Sequence, residues 1–212
     1  MAKCGFAGGV AKFGNILMIG LLWLLCSIPV VTVGASTAAM YRAIFALRDG
    51  DGSVTGVFFR GFRTCFRQAT VIWLIMAAAG GVLFLLPGVA IRSGSQMVMI
   101  ATGVIVVAAV FVWLPMLSCV FPLTAYFETS VKKTLRNALF ICVKYRKRAA
   151  LPAILIALPV APFFIDATLF FILLPVFLLL CPGFFGWIVS GKYLPIFRKY
   201  EEKRKEAEEQ ET

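Results

Sequence analysis

From Ala69 to Ile91 the chain carries no charged side chain, and the same holds from Met97 to Leu123. A helix of roughly 20 apolar residues crosses a bilayer core of about 30 Å, and in hydrocarbon a helix is needed because it satisfies its own backbone groups. Cutting the chain where charges interrupt such runs leaves five blocks: Phe13–Val33, Ala69–Ile91, Met97–Leu123, Ala149–Ile165 and Ala167–Tyr193. Composition agrees, with 61% hydrophobic and 15% charged residues, whereas soluble domains run at about 45 to 50% and about 25%. The expectation is an all-α, polytopic transmembrane bundle of about five spans with kinked helices. It forms one membrane domain over residues 1–195, followed by a charged cytoplasmic tail over 196–212. Pro152, Pro159 and Pro162 in the fourth block, and Pro175 and Pro182 in the fifth, predict kinks, since neighbouring helices in a bundle re-satisfy the freed carbonyls.

Orientation follows from the cations. Of 21 Lys and Arg residues, 18 fall in three regions, Arg42 to Arg67, Lys132 to Arg148 and Lys192 to Lys205, and a five-span layout puts all three on one side. The positive-inside rule makes that side cytoplasmic, with the N-terminus outside and the C-terminus inside. A second layout stays open. Phe13 to Leu47 is broken only around Pro29 and Gly34, so it can also form a re-entrant pair of half-helices that begins and ends in the cytoplasm, with Lys3 and Lys12 inside. The first block exceeds the roughly 7 to 15 apolar residues of a cleavable signal and is expected to be retained. The net charge of +11, interleaved with membrane-length blocks, points to anionic headgroups and not to nucleic acid.

Two cytoplasmic segments read as amphipathic helices. Val54, Phe58, Phe62 and Phe66 recur every fourth residue while Arg60, Arg63 and Arg67 share another face, the pattern of an interfacial helix whose rings enter the headgroup boundary. In the second, Val131, Leu135, Leu139 and Cys142 form a stripe beside Lys132, Lys133 and Arg136. The bland reading of each is an anchor for the neighbouring span; the functional reading is a surface for lipid or a partner protein. Each segment follows a Trp, Pro, Thr order (Trp23, Pro29, Thr32 and Trp113, Pro122, Thr124), a weak internal repeat of the kind transporters carry.

Several chemistries are missing. There is no histidine, which removes the commonest general base and metal ligand. Asp49, Asp51, Glu128, Asp166 and the tail acids all lie outside the apolar blocks, which disfavours proton or sodium coupling. Cys4, Cys26, Cys65, Cys119, Cys142 and Cys181 stand singly, and no disulfide, metal or other cofactor is expected. These absences argue for a non-enzymatic protein. The candidate helix-break or recognition motif is Pro29, Thr32, Gly34, Ser36 and Thr37, where the proline frees a carbonyl near Leu25, the glycine permits an unusual conformation, and the hydroxyls face backbone or a partner.

The strings Asn15-Ile16-Leu17, Leu22-Trp23-Leu24-Leu25 and Ile28-Pro29-Val30-Val31-Thr32-Val33-Gly34-Ala35-Ser36-Thr37-Ala38-Ala39-Met40-Tyr41 resemble the signature of the YesL-like family of bacterial membrane proteins, a domain of unknown function. Phe58 to Thr70, Thr134 to Leu139 and Tyr193 to Tyr200 are similar to it as well, whereas Phe127-Glu128-Thr129 departs from it. The resemblance transfers no catalytic residue. It implies a bacterial plasma-membrane protein accessory to carbohydrate uptake by ABC importers or to its regulation, with permease subunits as partners. The alternative is a small solute transporter or channel acting as a homo-oligomer through the Pro29 to Ser36 break.

Overall fold

The computed structural model describes residues 2–50, 53–127, 129–145, 152, 154–155 and 166–210, and among these it is helical with no strand. The helices are α1 (Ala2–Cys26), α2 (Val33–Asp49), α3 (Val54–Arg92), α4 (Gln96–Tyr126), α5 (Val131–Lys144) and α6 (Ala167–Gln210). Four of the helical segments, Gly9–Cys26, Val30–Asp49, Val54–Arg92 and Gln96–Tyr126, are long and apolar enough to span a bilayer. The fifth expected block lies within α6. The fourth falls almost wholly outside the described residues.

The first block is not one helix. α1 stops at Cys26, Pro29 caps a single 3-10 turn at Val30–Thr32, and α2 departs from Val33. Pro29 offers no N–H to continue α1, and its extended conformation (φ −74°, ψ 116°) turns the chain. α2 then runs back along α1, with the Trp23 indole N–H donating to Thr37 Oγ1 across the pair at 3.0 Å. The two form a hairpin with both arms on one end of the molecule. Phe13–Val33 is therefore not one continuous helix but the first arm and the turn of a hairpin, and each arm is long and apolar enough to span a bilayer. Gly50, in the left-handed conformation at φ 91°, then ends α2.

α3 turns antiparallel to α2 and extends far past it. Its 39 residues rise about 58 Å at 1.5 Å each, nearly twice a bilayer core. The proximal half packs on α2, while beyond Trp73 the distal half pairs with α4, where the Trp113 indole N–H donates to the Met76 carbonyl at 3.1 Å. Gly94, also left-handed at φ 67°, and the Ser93 hydroxyl on Ala90 O close the turn between them. Pro87, Pro115 and Pro122 sit inside continuous helices.

Burial follows this division. The proximal end holds the core, with Phe58, Ile72, Val120, Val189, Tyr193 and Phe197 at most 1% exposed. Rings of Phe45, Tyr126 and Phe197 lie 5.4 to 6.4 Å apart there, the geometry in which aromatic edges and faces attract. The distal α3–α4 hairpin instead exposes Phe84 (83%), Met97 (80%) and Phe111 (77%), which hydrocarbon tolerates and water does not. α5 packs on α4 at the proximal end. It leans on α3 through Gln68 and Thr134 (3.1 Å) and reaches α6 where Ile141 faces Phe197 and Tyr200.

Candidate functional site

At the break, the carbonyls left by the end of α1 find new donors. The Thr32 hydroxyl reaches Cys26 O at 2.6 Å and Pro29 O at 2.7 Å, and the Trp73 indole N–H of α3 donates to Val30 O at 2.9 Å. The Leu25 carbonyl, expected to be orphaned, accepts the Ile28 N–H at 3.5 Å; the carbonyl that needs a side-chain partner is that of Cys26. Thr37 Oγ1 donates to Val33 O while accepting from Trp23. Ser36 is fully buried, and its hydroxyl has no partner among the described residues. Gly34 has no unusual φ. Its role is close approach, because a Cβ there would lie 2.5 Å from both Ala69 O and Trp73 Cβ. The tip residues Ile28 (75%), Val30 (70%) and Val31 (52%) are exposed and apolar.

The amphipathic segments keep their cations outward but not all their rings. Arg60, Arg63, Arg67, Lys132, Lys133 and Arg136 are exposed, and none makes an ion pair with a described residue. Phe58, expected on the outward stripe, is fully buried against α2, Phe62 is half-buried, and only Phe66 is exposed. The segment is the first part of α3 and not a separate interfacial helix, so its inner face packs on protein. On α5 the buried stripe is Thr134, Ala138, Ile141 and Cys142, rotated from the expected one, with Leu139 left outside. A polar residue can face inward there because the Thr134 hydroxyl is bonded to Gln68, Thr129 and Ser130 O.

Two arginines assigned to the first cytoplasmic loop are structural instead. Arg42 lies along Gly61 of α3, and its guanidinium donates to Cys65 Sγ at 3.8 Å. Arg48 donates to Ser190 Oγ at 2.8 Å and Trp187 O at 2.5 Å and stacks 3.9 Å over the Trp187 ring, which fastens α2 to α6. Periodicity could not reveal this, since the partners stand some 140 positions away in sequence. Cys119 and Cys142, isolated in sequence, meet between α4 and α5, where the hydrogen bond between the two thiols holds Cys142 below its ordinary range against the opposing effect of burial. Among the described residues no three metal-ligating side chains converge.

Behind the break lies a cavity of about 280 Å³, bounded by α1, α2, α3, α4 and α6, with Trp23, Trp73, Phe121 and Val189 among its walls. Among the described residues no charged side chain lines it. A second, of about 330 Å³, lies between α5 and α6 around Phe127, Asn137 and Tyr200.

Residues 16–85 match the family described as "Protein of unknown function, DUF624". The match takes in the second part of α1 from Ile16, the break, all of α2 and α3 as far as Leu85. Compared with curated proteins and with solved structures, the chain matches none.

Proposed function

We propose that this is a non-enzymatic accessory protein of the bacterial plasma membrane, of the YesL-like kind, whose basic cytoplasmic face meets anionic lipid and the permease subunits of a carbohydrate ABC importer. The observation that carries the reading is the segregation of charge. Six exposed cations that pair with no described residue (Arg60, Arg63, Arg67, Lys132, Lys133, Arg136) belong to the elements at the proximal end, and a hairpin of bilayer length, whose single charge Arg92 stands at the far tip, projects beyond them. Positive-inside placement makes that end cytoplasmic, and with it the tail of α6.

The same geometry supports a re-entrant first hairpin. Its tip meets α3 at Trp73, and from Trp73 to Arg92 the helix rises about 28 Å, one bilayer core. A single bilayer cannot cover that stretch and also the full length of α1 and α2. The exposed apolar residues of the distal hairpin claim the membrane, so α1 and α2 enter from the cytoplasmic face and dip their tip into it. Lys12 then joins the cytoplasmic cations, and Arg92 lies outside.

The accessory reading is tested by crosslinking the intact protein in its native membrane and identifying what co-purifies. Permease subunits captured at Lys132, Lys133 or Arg136 support it. A homo-oligomer without other proteins, which moves sugar in reconstituted vesicles, overturns it in favour of solute transport.

A further inference from the structure

We infer that the cavity behind the helix break is an acyl-chain site that holds one tail of a membrane lipid. Its chemistry excludes a sugar. The Trp23 N–H is engaged by Thr37, and the Thr37 hydroxyl by Val33 O. The Trp73 N–H is engaged by Val30 O, and Ser118 Oγ by Pro115 O and the Tyr193 hydroxyl. Among the described residues, the Tyr41 hydroxyl is the remaining polar side-chain group of the wall. A polyol entering here would lose its water partners and find almost no replacements, whereas a hydrocarbon chain loses nothing.

Shape points the same way. The lining residues of α6 run from Leu174 to Val189, which spans about 22 Å along a helix axis. The cavity is therefore elongated, as a linear chain requires. Its floor is buried, with Met40 4%, Ser118 2% and Val189 1% exposed, while Leu174, Phe177 and Phe185 on the rim are half-exposed and apolar. An apolar rim lets a lipid tail enter sideways without passing a polar barrier. Left empty, the aromatic walls would forfeit dispersion contacts on every side. The site does not rest on the accessory reading, since a lipid tail can occupy it whichever protein binds the basic face.

The test uses the full chain in cells fed a long-chain fatty acid that carries a diazirine and an alkyne, which the cells build into their phospholipids. After irradiation, crosslinked peptides are mapped by mass spectrometry. Labelling at the floor residues Met40 and Val189 is expected to exceed that at Phe84 and Phe111, which face bulk lipid. Leu174→Trp, which closes the rim, is expected to cut floor labelling by about tenfold, equivalent to about 1.4 kcal/mol of affinity, and to leave Phe84 labelling unchanged; Leu174→Ala is expected to retain it. Phe84 labelling also reports that the variant has inserted and folded, and Phe177→Trp closes the same rim should Leu174→Trp aggregate. Floor labelling no higher than at Phe84, or floor labelling that survives both tryptophan variants, overturns the proposal.

Discussion

At the scale of single residues, the motif around Pro29 separates into members with distinct jobs. Thr32 closes the end of α1 on the Cys26 carbonyl, so Thr32→Val leaves that carbonyl without its donor and is expected to cost about 1 to 3 kcal/mol. Ser36 holds a buried hydroxyl with no partner among the described residues, so Ser36→Ala is expected to be neutral or slightly stabilising. Thermal unfolding of the two single variants in detergent checks both, and equal losses would contradict this division. Gly34→Ala drives a methyl into Ala69 O and Trp73 Cβ and is expected to lose about 1 to 3 kcal/mol through overpacking, seen as a lowered Tm in the same assay. Arg48→Lys keeps the charge but loses the planar fork that bonds Ser190 and Trp187 O and stacks on the indole. It is expected to lower Tm more than Arg60→Lys, whose side chain is exposed.

At the scale of elements, the hairpin of α1 and α2 and the seating of α5 on α4 are the testable features. If α1 and α2 begin and end on the cytoplasmic side, a cysteine at Lys12 labels only after permeabilisation, as one at Lys133 does, while a cysteine at Ser95 labels from outside. A Lys12 cysteine that labels from outside restores the single crossing. The meeting of Cys119 and Cys142 makes a second test of how α5 seats on α4. Mild oxidation with copper phenanthroline is expected to form an intramolecular disulfide that Cys119→Ser abolishes, and continued free-thiol reactivity at both positions would show α5 lying elsewhere. The α5 register was hard to read from the chain because Thr134, polar in isolation, becomes an acceptable inward residue once Gln68 of α3 offers it a bond.

At the scale of the whole molecule, the division into a packed basic end and a bare apolar hairpin governs how the protein meets the membrane. Each exposed cation near an anionic surface contributes about 1 kcal/mol, screened by salt, so Arg60→Gln, Arg63→Gln and Arg67→Gln together are expected to weaken anionic-lipid retention by roughly 3 kcal/mol at low ionic strength. Native mass spectrometry of the intact protein, comparing phosphatidylglycerol with phosphatidylcholine, measures it. Unchanged retention would remove electrostatics from the proposed role of this face.

Much of this molecule was legible in the chain because a bilayer imposes few rules. The charge-free runs from Ala69 to Ile91 and from Met97 to Leu123 had to become helices, since hydrocarbon offers no other partner for their backbone groups. The clustering of cations on one side was equally visible, as was the break at Pro29, a residue that cannot continue a helix ladder. Tertiary structure alone decided where the chain went after that break. Gly34 lets α2 approach the Ala69 backbone, Trp73 reaches over to the freed Val30 carbonyl, and the chain folds back on itself as a helical hairpin. It likewise decided which ring of the Phe58, Phe62 and Phe66 stripe turned inward and gave Arg48 its partners on α6. Period and composition report only what faces water or lipid, and these choices depend on which protein surface arrives to cover each residue.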